Sequence, residues 1–415
     1  MSDHPTTATA RTTPTLWLVL LAAGGIFALT MGARQSMGLF LSAINSSTGL
    51  GLASISLAFA FGQLWWGLTQ PFAGMVADRI GPGRVLVLGV LLVATGTALI
   101  PLMHSTGGLI LAIGVLSAGG AGMAGPSVLM AATTRLVPAE KRGMATGIVN
   151  AGGSFGQFVF APIAQGITTA AGWVAGIQTL AALTLLALPA AWVLRGRGQA
   201  AGALPGAKTE TTREAVRRAL ADRSYRLLAA GFFVCGFHVA FLATHLPGVV
   251  ASCQLPPEVG AWSLAMIGLF NIVGSFGIGW AIGFQGGRWP MKRLLTAIYA
   301  TRALAVLAFV LVPKSTPVML VFAAVMGLTF LSTVPPTAGL VARFFGPAHM
   351  GTLFGLVMVT HQIGGFLGAY LGGKAFEGSG NYNWMWYADI VLAIAAALLH
   401  WPIREQRPVA AGQAA

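Results

Sequence analysis

At residues 135–147 the chain reads RLVPAEKRGMATG, and at residues 343–355 it reads RFFGPAHMGTLFG. One arginine and two glycines recur in the same register, 208 residues apart, which is about half the length of the chain. A long apolar stretch rich in glycine follows each copy. Similarity at such a distance is typical of chains built from repeated structural units. The repeat therefore predicts two related halves.

The composition indicates that both halves lie in a membrane. The chain is 56% apolar and 8% charged, and it contains 56 glycines. A helix that crosses a bilayer core of about 30 Å needs about 20 apolar residues. Stretches of this kind lie near residues 15–43, 53–78, 83–103, 107–134, 142–170, 172–195, 224–252, 258–284, 291–312, 317–343, 349–376 and 382–403. The predicted fold class is an all-α membrane protein with twelve transmembrane helices.

The positive charges predict the orientation of these helices. The formal net charge is +14, and all but four of the 24 Lys and Arg residues fall on one side of the predicted spans. Arg34 and Arg302 lie within helices, while Lys314 and Lys374 lie on the opposite side. By the positive-inside rule both termini are cytoplasmic, and we expect the protein in the cell inner membrane. The charge thus sets topology, and no nucleic-acid partner is expected.

The spans divide the chain into two bundles and three connecting or terminal segments. We expect a cytoplasmic tail at 1–14, a six-helix bundle at 15–195, a cytoplasmic loop at 196–223, a second six-helix bundle at 224–403 and a tail at 404–415. Within the loop, Thr212–Leu220 has the pattern of a short amphipathic helix on the membrane surface. A solvated basic linker is the alternative interpretation of this segment.

The connection between the second and third spans carries a distinctive motif. It reads GMVADRIGPGR at residues 74–84. This resembles the Gly-x-x-x-Asp-Arg-x-Gly-x-x-Arg loop of the major facilitator superfamily, in the position where that superfamily has it. The resemblance covers essentially the whole chain. It implies two pseudo-symmetric six-helix bundles that alternate around a central site, an architecture for which this superfamily is a known example.

The same resemblance implies a role in conformational gating for five residues of the loop, Gly74, Asp78, Arg79, Gly81 and Arg84. Asp78 ends a helix, where its charge opposes the macrodipole and requires partners. The resemblance implies that Arg84 and the start of the eleventh helix, near His349–Gly351, supply them. The alternative is that these charges only set the topology.

Three further strings are similar to the bacterial monocarboxylate and oxalate/formate transporters of the superfamily. They are GARQSMGLF at 32–40, GFHVAFLATHLP at 236–247 and HQIGGFLGAY at 361–370. The chain departs from that branch in two places. The eighth span is neutral around Asn271, where the branch carries an arginine, and the eleventh has no lysine at mid-membrane.

Ionisable side chains inside a membrane are candidates for function. Arg34, in the first span, could bind a carboxylate through its bidentate fork. It could also be a structural arginine bonded to carbonyl groups of neighbouring helices. His238 and His245 share a face of the seventh span, and His361 lies near mid-membrane in the eleventh. These histidines could carry protons or bind substrate. Alternatively, they are neutral, hydrogen-bonded helix residues.

Other polar residues complete the predicted site. Gln362 adjoins His361, and Asn150 and Gln157 share a face of the fifth span. These two amides could bind substrate or could hold helices together. Arg302 and Asp389, on the ninth and twelfth spans, are interpreted as a structural ion pair.

The resulting hypothesis is a secondary transporter that moves a small organic anion, a monocarboxylate, together with protons. One alternative is an exporter of drugs or other amphiphilic compounds on the same fold. A membrane sensor or an intramembrane enzyme is a third, but the sequence has no catalytic, metal-binding or cofactor motif of the familiar kinds. We therefore expect no catalytic residues, no metal, no cofactor and no enzyme activity, and a monomer in the lipid bilayer.

Overall fold

The structure is a computed structural model that describes residues 16–137, 142–195, 211–283, 289–346 and 349–405. All regular secondary structure in these ranges is helical. The helices are α1 (Leu16–Gln35), α2 (Leu41–Thr48), α3 (Leu52–Ile80), α4 (Pro82–Leu99), α5 (Thr106–Leu109), α6 (Ala118–Met123), α7 (Pro126–Leu136), α8 (Arg142–Leu185), α9 (Leu188–Val193), α10 (Thr212–Ala221), α11 (Arg223–Ser252), α12 (Pro257–Gly283), α13 (Met291–Leu311), α14 (Thr316–Thr329), α15 (Val334–Phe345), α16 (Met350–Ser379) and α17 (Asn383–His400).

Eleven segments of the described chain are long and apolar enough to cross a membrane. One of them, Ala145–Val193, has 49 residues, more than twice the length that a crossing needs. Its helix is broken at Gly172, which has φ 88°. Glycine adopts this left-handed backbone region without a steric penalty, so the chain turns there and crosses again. The prediction of twelve spans is confirmed.

The helices pack as two bundles of six spans. In the N-terminal half α1 lies along α8, and in the C-terminal half α11 lies along α16 in the equivalent way. Buried apolar residues form one large core in the C-terminal half and two in the N-terminal half. The halves meet through α3 against α16 and through α8 against α12. This is the predicted two-bundle fold.

Among the described residues, the first, fourth and tenth spans are each interrupted by a break in the α-helix. The first passes from α1 through a 3₁₀ turn at Met37–Phe40 into α2. The fourth contains a π-helical segment at Ile110–Ser117 and restarts at Pro126 after Gly125. The tenth stops with α14 at Thr329 and resumes with α15. Such irregularities leave backbone groups without intrahelical partners, and they are frequent at functional sites.

The long parallel contacts within each half depend on glycine. A Cβ atom built on Gly236 of α11 would lie 1.8 Å from the carbonyl oxygen of His361 on α16. On α8, a Cβ on Gly156 would lie 2.0 Å from the carbonyl oxygen of Ala28 on α1. Only glycine allows these helix backbones to approach so closely, which is a common packing mode in membranes.

Replacing Gly236 with alanine should therefore destabilise the C-terminal bundle. We expect a loss of about 1–3 kcal/mol, the usual cost of overpacking, seen as a lower thermal unfolding temperature of the purified protein in detergent. Gly355→Ala on α16 is the matched control, because no described atom lies within 4 Å of the added Cβ. Equal unfolding temperatures for the two variants would contradict the assignment of Gly236 as a packing glycine.

The contact between α3 and α16 is not continuous along α3. We call the end where α10 lies the linker side, and the opposite end the far side. Gly67 of α3 packs on Gln362 of α16, and Gly373 packs on Ser56 nearer the far side. Gly74 lies two turns beyond Gly67 on the same face of α3, yet no described atom lies within 4 Å of its Cβ position. On the linker side the halves meet instead at α8 and α12, where the Cβ position of Gly147 is 3.6 Å from the Phe276 ring.

The amphipathic helix predicted in the central loop is present as α10. Thr211 and Glu214 form a reciprocal capping box at its start. The backbone N–H of Thr211 donates to the Glu214 carboxylate, and this lowers the pKa of Glu214. Ala215 and Ala219 are buried against the C-terminal half, while Arg217 is exposed. The helix thus caps the linker side of that bundle.

Candidate functional site

A small cavity lies between the halves, with Arg34 in its wall. The N-terminal half contributes Arg34, Phe59, Gln63 and Ser117 among others, and the C-terminal half contributes Ala243 and Thr244. Its volume is about 30 Å³. A water molecule needs roughly 10–15 Å³ of such space. The cavity thus has room for about two waters, or for the head of a small polar ligand.

The break in the first span positions Arg34. Arg34 is in the last turn of α1, where a cation interacts favourably with the negative end of the helix dipole. Its Nη2 donates to Oε1 of Gln63 at 2.5 Å, and its guanidinium carbon lies 4.9 Å from the centre of the Trp66 ring. Among the described residues this is the one hydrogen bond recorded for the Arg34 side chain. The remaining guanidinium donors are available to a ligand in the cavity.

The cavity lies near the middle of the membrane. Gln63 is about 16 Å from the far-side end of α3, and Thr244 is about 12 Å from the far-side end of α11, at 1.5 Å per residue. Half the thickness of a bilayer core is about 15 Å. A site at this depth, between two structural repeats, has the location that alternating access requires.

His238 and His245 lie on α11 but face away from the Arg34 cavity. The Nε2 atom of His238 is 3.1 Å from the carbonyl oxygen of Asp389 and 3.4 Å from its Oδ1. The Nε2 atom of His245 is 2.7 Å from the carbonyl oxygen of Ala369 on α16. Both rings are buried. The structure therefore places them between helices of the C-terminal half.

His361 and Gln362 are buried at two different contacts of α16. The His361 ring packs 4.8 Å from the ring of Phe232 on α11, and neither of its nitrogens has a hydrogen-bond partner among the described residues. Gln362 packs across the halves against Gly67. Its Nε2 is likewise without a described partner. Gln362 is thus at the seam between the halves, and His361 is within the C-terminal half.

The fifth span contributes polar side chains to a second contact between the halves, that of α8 with α12. Gln157 of α8 packs against Gly268 of α12, and its Nε2 has no described partner. One turn away, Ser154 accepts a hydrogen bond of 2.7 Å from Asn271 of α12. Asn150 is exposed, two turns from Gln157 towards the linker side. None of these side chains lines the Arg34 cavity in this conformation.

The motif loop connects α3 and α4 on the linker side. Gly81 has φ 95°, a value that favours glycine and allows the tight connection. Arg79 and Arg84 are exposed, and no described atom lies within 4 Å of the Cβ position of Gly74. The side chain of Asp78 lies outside the described part of the structure. The predicted gating contact with the start of α16 thus remains a prediction.

The interpretation of Arg302 and Asp389 as a direct ion pair is not supported. Both side chains are described and buried, but no ion pair between them is recorded. Arg302 instead donates to the carbonyl oxygens of Thr329 and Phe330, which the interruption of the tenth span leaves without helical partners. The Oδ1 atom of Asp389 lies 3.4 Å from Nε2 of His238. The carbonyl groups left open by the break between α14 and α15 bind Arg302, and the sequence does not predict this break.

Two polar residues of the interior were not identified from the sequence. Gln63 holds Arg34, and Asn271 bonds both Ser154 and the backbone N–H of Leu331, at 2.9 Å. The isolation of Gln63 among apolar residues of α3 indicates that its amide has a polar partner. The sequence does not indicate which residue that partner is.

Comparison with known proteins gives a consistent result. A family model described as Major Facilitator Superfamily matches residues 20–369, with a second match to residues 281–414. Monocarboxylate transporter 13 of Rattus norvegicus is 26% identical over 377 residues, covering 88% of this chain and 84% of that protein. An oxalate:formate antiporter of Oxalobacter formigenes is 27% identical over 184 residues, covering 44% of this chain and 43% of that protein.

A solved structure shares the fold. It is a bacterial homolog of the human lysosomal transporter Spinster, in an inward-facing and unoccupied conformation. The TM-score is 0.75 at 18% identity, with 94% of this chain and 97% of that chain covered. At this identity the likeness concerns the fold alone.

Proposed function

The chain belongs to the Major Facilitator Superfamily, and on this premise we propose that it is a secondary active transporter of a small organic anion, a monocarboxylate, coupled to protons. The two halves alternate around the Arg34 cavity. The proposal places the linker side in the cytoplasm of a cell whose inner membrane holds the protein. The observation that carries it is a guanidinium at mid-membrane, between the halves, with donors directed into a cavity.

The charges of the interior support an anionic substrate. Away from the ends of the spans, the Arg, Lys, Asp and Glu residues of the described chain are Arg34, Arg302 and Asp389. Arg302 and Asp389 both lie in the C-terminal bundle. Among the described residues Arg34 has no carboxylate partner and bonds only the neutral Gln63. An unpaired charge in a membrane interior is unfavourable, and a bound carboxylate would neutralise it with bidentate geometry.

The cavity around Arg34 is narrow in this conformation. Its walls include Gly38 and Gly62, and its volume of about 30 Å³ admits the head group of an acid and not a whole substrate, so transport requires it to widen. The choice of an acid therefore rests on the guanidinium of Arg34. The similarity of the chain to a monocarboxylate transporter supports a monocarboxylate as the substrate.

Uptake into proteoliposomes tests the function. Purified protein is reconstituted, and accumulation of labelled lactate, pyruvate, formate and oxalate is followed under an imposed inward proton gradient. We expect accumulation of at least one monocarboxylate above the level in protein-free liposomes, abolished by a protonophore. Accumulation of no acid, combined with gradient-driven movement of a hydrophobic cation, would favour the exporter alternative.

Gln63 should control the affinity of Arg34 for the anion. In Gln63→Glu, the new carboxylate lies within hydrogen-bond distance of the guanidinium and competes with substrate, so transport should fall at least about 10-fold. Gln63→Leu removes the hydrogen bond without adding charge, and the expected rise in KM is only a few-fold. Initial uptake rates over a range of concentrations separate the two. A Gln63→Glu variant with unchanged KM would show that substrate does not meet Arg34.

A further inference from the structure

His238 and Asp389 form a buried ionisable pair that the anion site does not use. The exposed fraction is 1% for His238 and 0% for Asp389. Nε2 of His238 lies 3.4 Å from Oδ1 of Asp389, and 3.1 Å from the backbone oxygen of the same residue. The pair joins α11 to α17 inside the C-terminal bundle, on the side of α11 opposite to the Arg34 cavity.

The hydrogen bonding of this pair is incomplete. Neither carboxylate oxygen of Asp389 has a hydrogen-bond donor among the described residues, and Nδ1 of His238 has no partner there either. A buried polar group without a partner costs roughly 1–3 kcal/mol, and a buried ionised carboxylate costs more. Nε2 carries the ring proton of His238, because the backbone oxygen beside it can only accept. An added proton would therefore bind the Asp389 carboxyl and neutralise its buried charge.

No described group donates to this carboxylate. Arg302 is the nearest charged group; its Nη2 is bonded to the carbonyl oxygens of Thr329 and Phe330 and lies 3.7 Å from Sγ of Cys235, while its Nε and Nη1 have no described partner. The other buried titratable side chains of this bundle are Tyr225, Cys235, His245, Tyr299, His361, Tyr382 and His400. Tyr299 donates to the carbonyl oxygen of Gly231, and His400 is bonded to that of Ala396. None of them donates to Asp389.

We propose that His238 and Asp389 are the proton-binding site of the transporter, separate from the anion site at Arg34. The bound proton is carried by the Asp389 carboxyl, and the Nε2–H of neutral His238 lies beside it. The coupling function rests on the proposed anion transport, whereas the existence of the proton site does not. His245 and His361 are then packing residues of the bundle.

Charge balance supports one proton for each monoanion. In the empty state of this proposal Asp389 is ionised, so that with Arg34 and Arg302 the described interior carries a net charge of +1. Binding a monocarboxylate and one proton adds −1 and +1, so the loaded interior has the same net charge as the empty one. Either form can then undergo the change of conformation without moving additional charge through a medium that penalises it. Binding the anion alone, or the proton alone, would alter the interior charge.

Helix α11 connects the two sites. His238 faces α17, while Ala243 and Thr244 on the same helix line the Arg34 cavity. The separation along the helix is about 8 Å at a rise of 1.5 Å per residue. A proton bound between α11 and α17 therefore acts on a helix that also forms the wall of the anion site.

Infrared titration of the purified protein tests the proton site without any substrate. On acidification the wild type should develop the carbonyl stretch of a protonated, buried carboxylic acid, and Asp389→Asn should lack this band. His238→Gln should retain the band with a shifted midpoint, because the neighbouring Nε2–H is gone. Glu377→Gln, at an exposed position on α16, is the matched control and should leave the band unchanged. A band identical in wild type and Asp389→Asn would overturn the proposal.

Transport assays test coupling. In Asp389→Asn, anion exchange between the two sides of the liposome should persist, while accumulation driven by a proton gradient should fall at least 10-fold. His238→Gln is the second variant, in case the first does not fold as judged by size-exclusion chromatography. Loss of both exchange and accumulation in well-folded variants would overturn a role confined to the proton. If the wild type transports none of the acids, the anion proposal fails, and the infrared result still decides the proton site.

Discussion

Arg34→Gln should reduce anion accumulation at least about 100-fold. The substitution removes a buried cation and its bidentate donors while keeping a polar side chain of similar reach. Truncating one partner of a buried, hydrogen-bonded charge pair costs roughly 3 kcal/mol or more, and each 1.4 kcal/mol is a factor of ten. The measurement is the initial rate of uptake into proteoliposomes at subsaturating substrate, compared with the wild type at equal protein content.

Two further variants serve as controls for Arg34→Gln. Arg34→Lys retains the charge but loses the planar fork, so it should recover part of the activity. Arg217→Gln removes an exposed arginine of α10 and should transport like the wild type. Uptake by Arg34→Gln at the wild-type rate would show that Arg34 is a structural residue, as the alternative interpretation holds.

Cross-linking the far side should stop transport completely. Alternating access requires the α3–α16 contact to open there, and it is closed in this structure. A Cβ on Gly373 would lie 2.6 Å from Cβ of Ser56, and disulfides need a Cβ separation of about 3.8 Å. A small shift therefore permits a disulfide in the double variant Ser56→Cys, Gly373→Cys. We expect mild oxidation to abolish uptake and a reductant to restore it.

The native cysteines do not complicate this test. Cys235 is buried in the C-terminal half, and Cys253 can be replaced by serine beforehand. The single variants Ser56→Cys and Gly373→Cys are the controls, and each should have the same activity before and after treatment with the oxidant. Full transport by a completely cross-linked protein would mean that the far-side contact does not open during the cycle.

Much of the fold could be predicted from the sequence, because the signals are local. Apolar length predicts each crossing, and both the repeat and the GMVADRIGPGR loop predict two related bundles. Even the turn at Gly172, which divides a 49-residue helical stretch, was placed between predicted spans ending at 170 and starting at 172. In a bilayer the backbone must satisfy its own hydrogen bonds, so hydrophobicity along the chain leaves few alternatives to helices.

The candidate site could be predicted only as a set of residue types. Arg34 was identified because an arginine inside a span is rare. His238 is predicted for the same reason, as an ionisable residue inside a span, yet the two side chains lie in separate places. Their separation depends on the rotation of α11 about its axis, which packing against α16 and α17 determines and which the sequence of a single span does not encode.

By itself, the sequence determined the membrane environment, the number of crossings and the family, since each depends on composition, length or a contiguous motif. The tertiary structure decided which polar groups meet: Gln63 with Arg34, and His238 with Asp389. It also decided that Arg302 bonds the carbonyl groups left open between α14 and α15. These pairings join residues from different helices, and their partners are chosen by distances of a few ångströms that arise only when the helices pack.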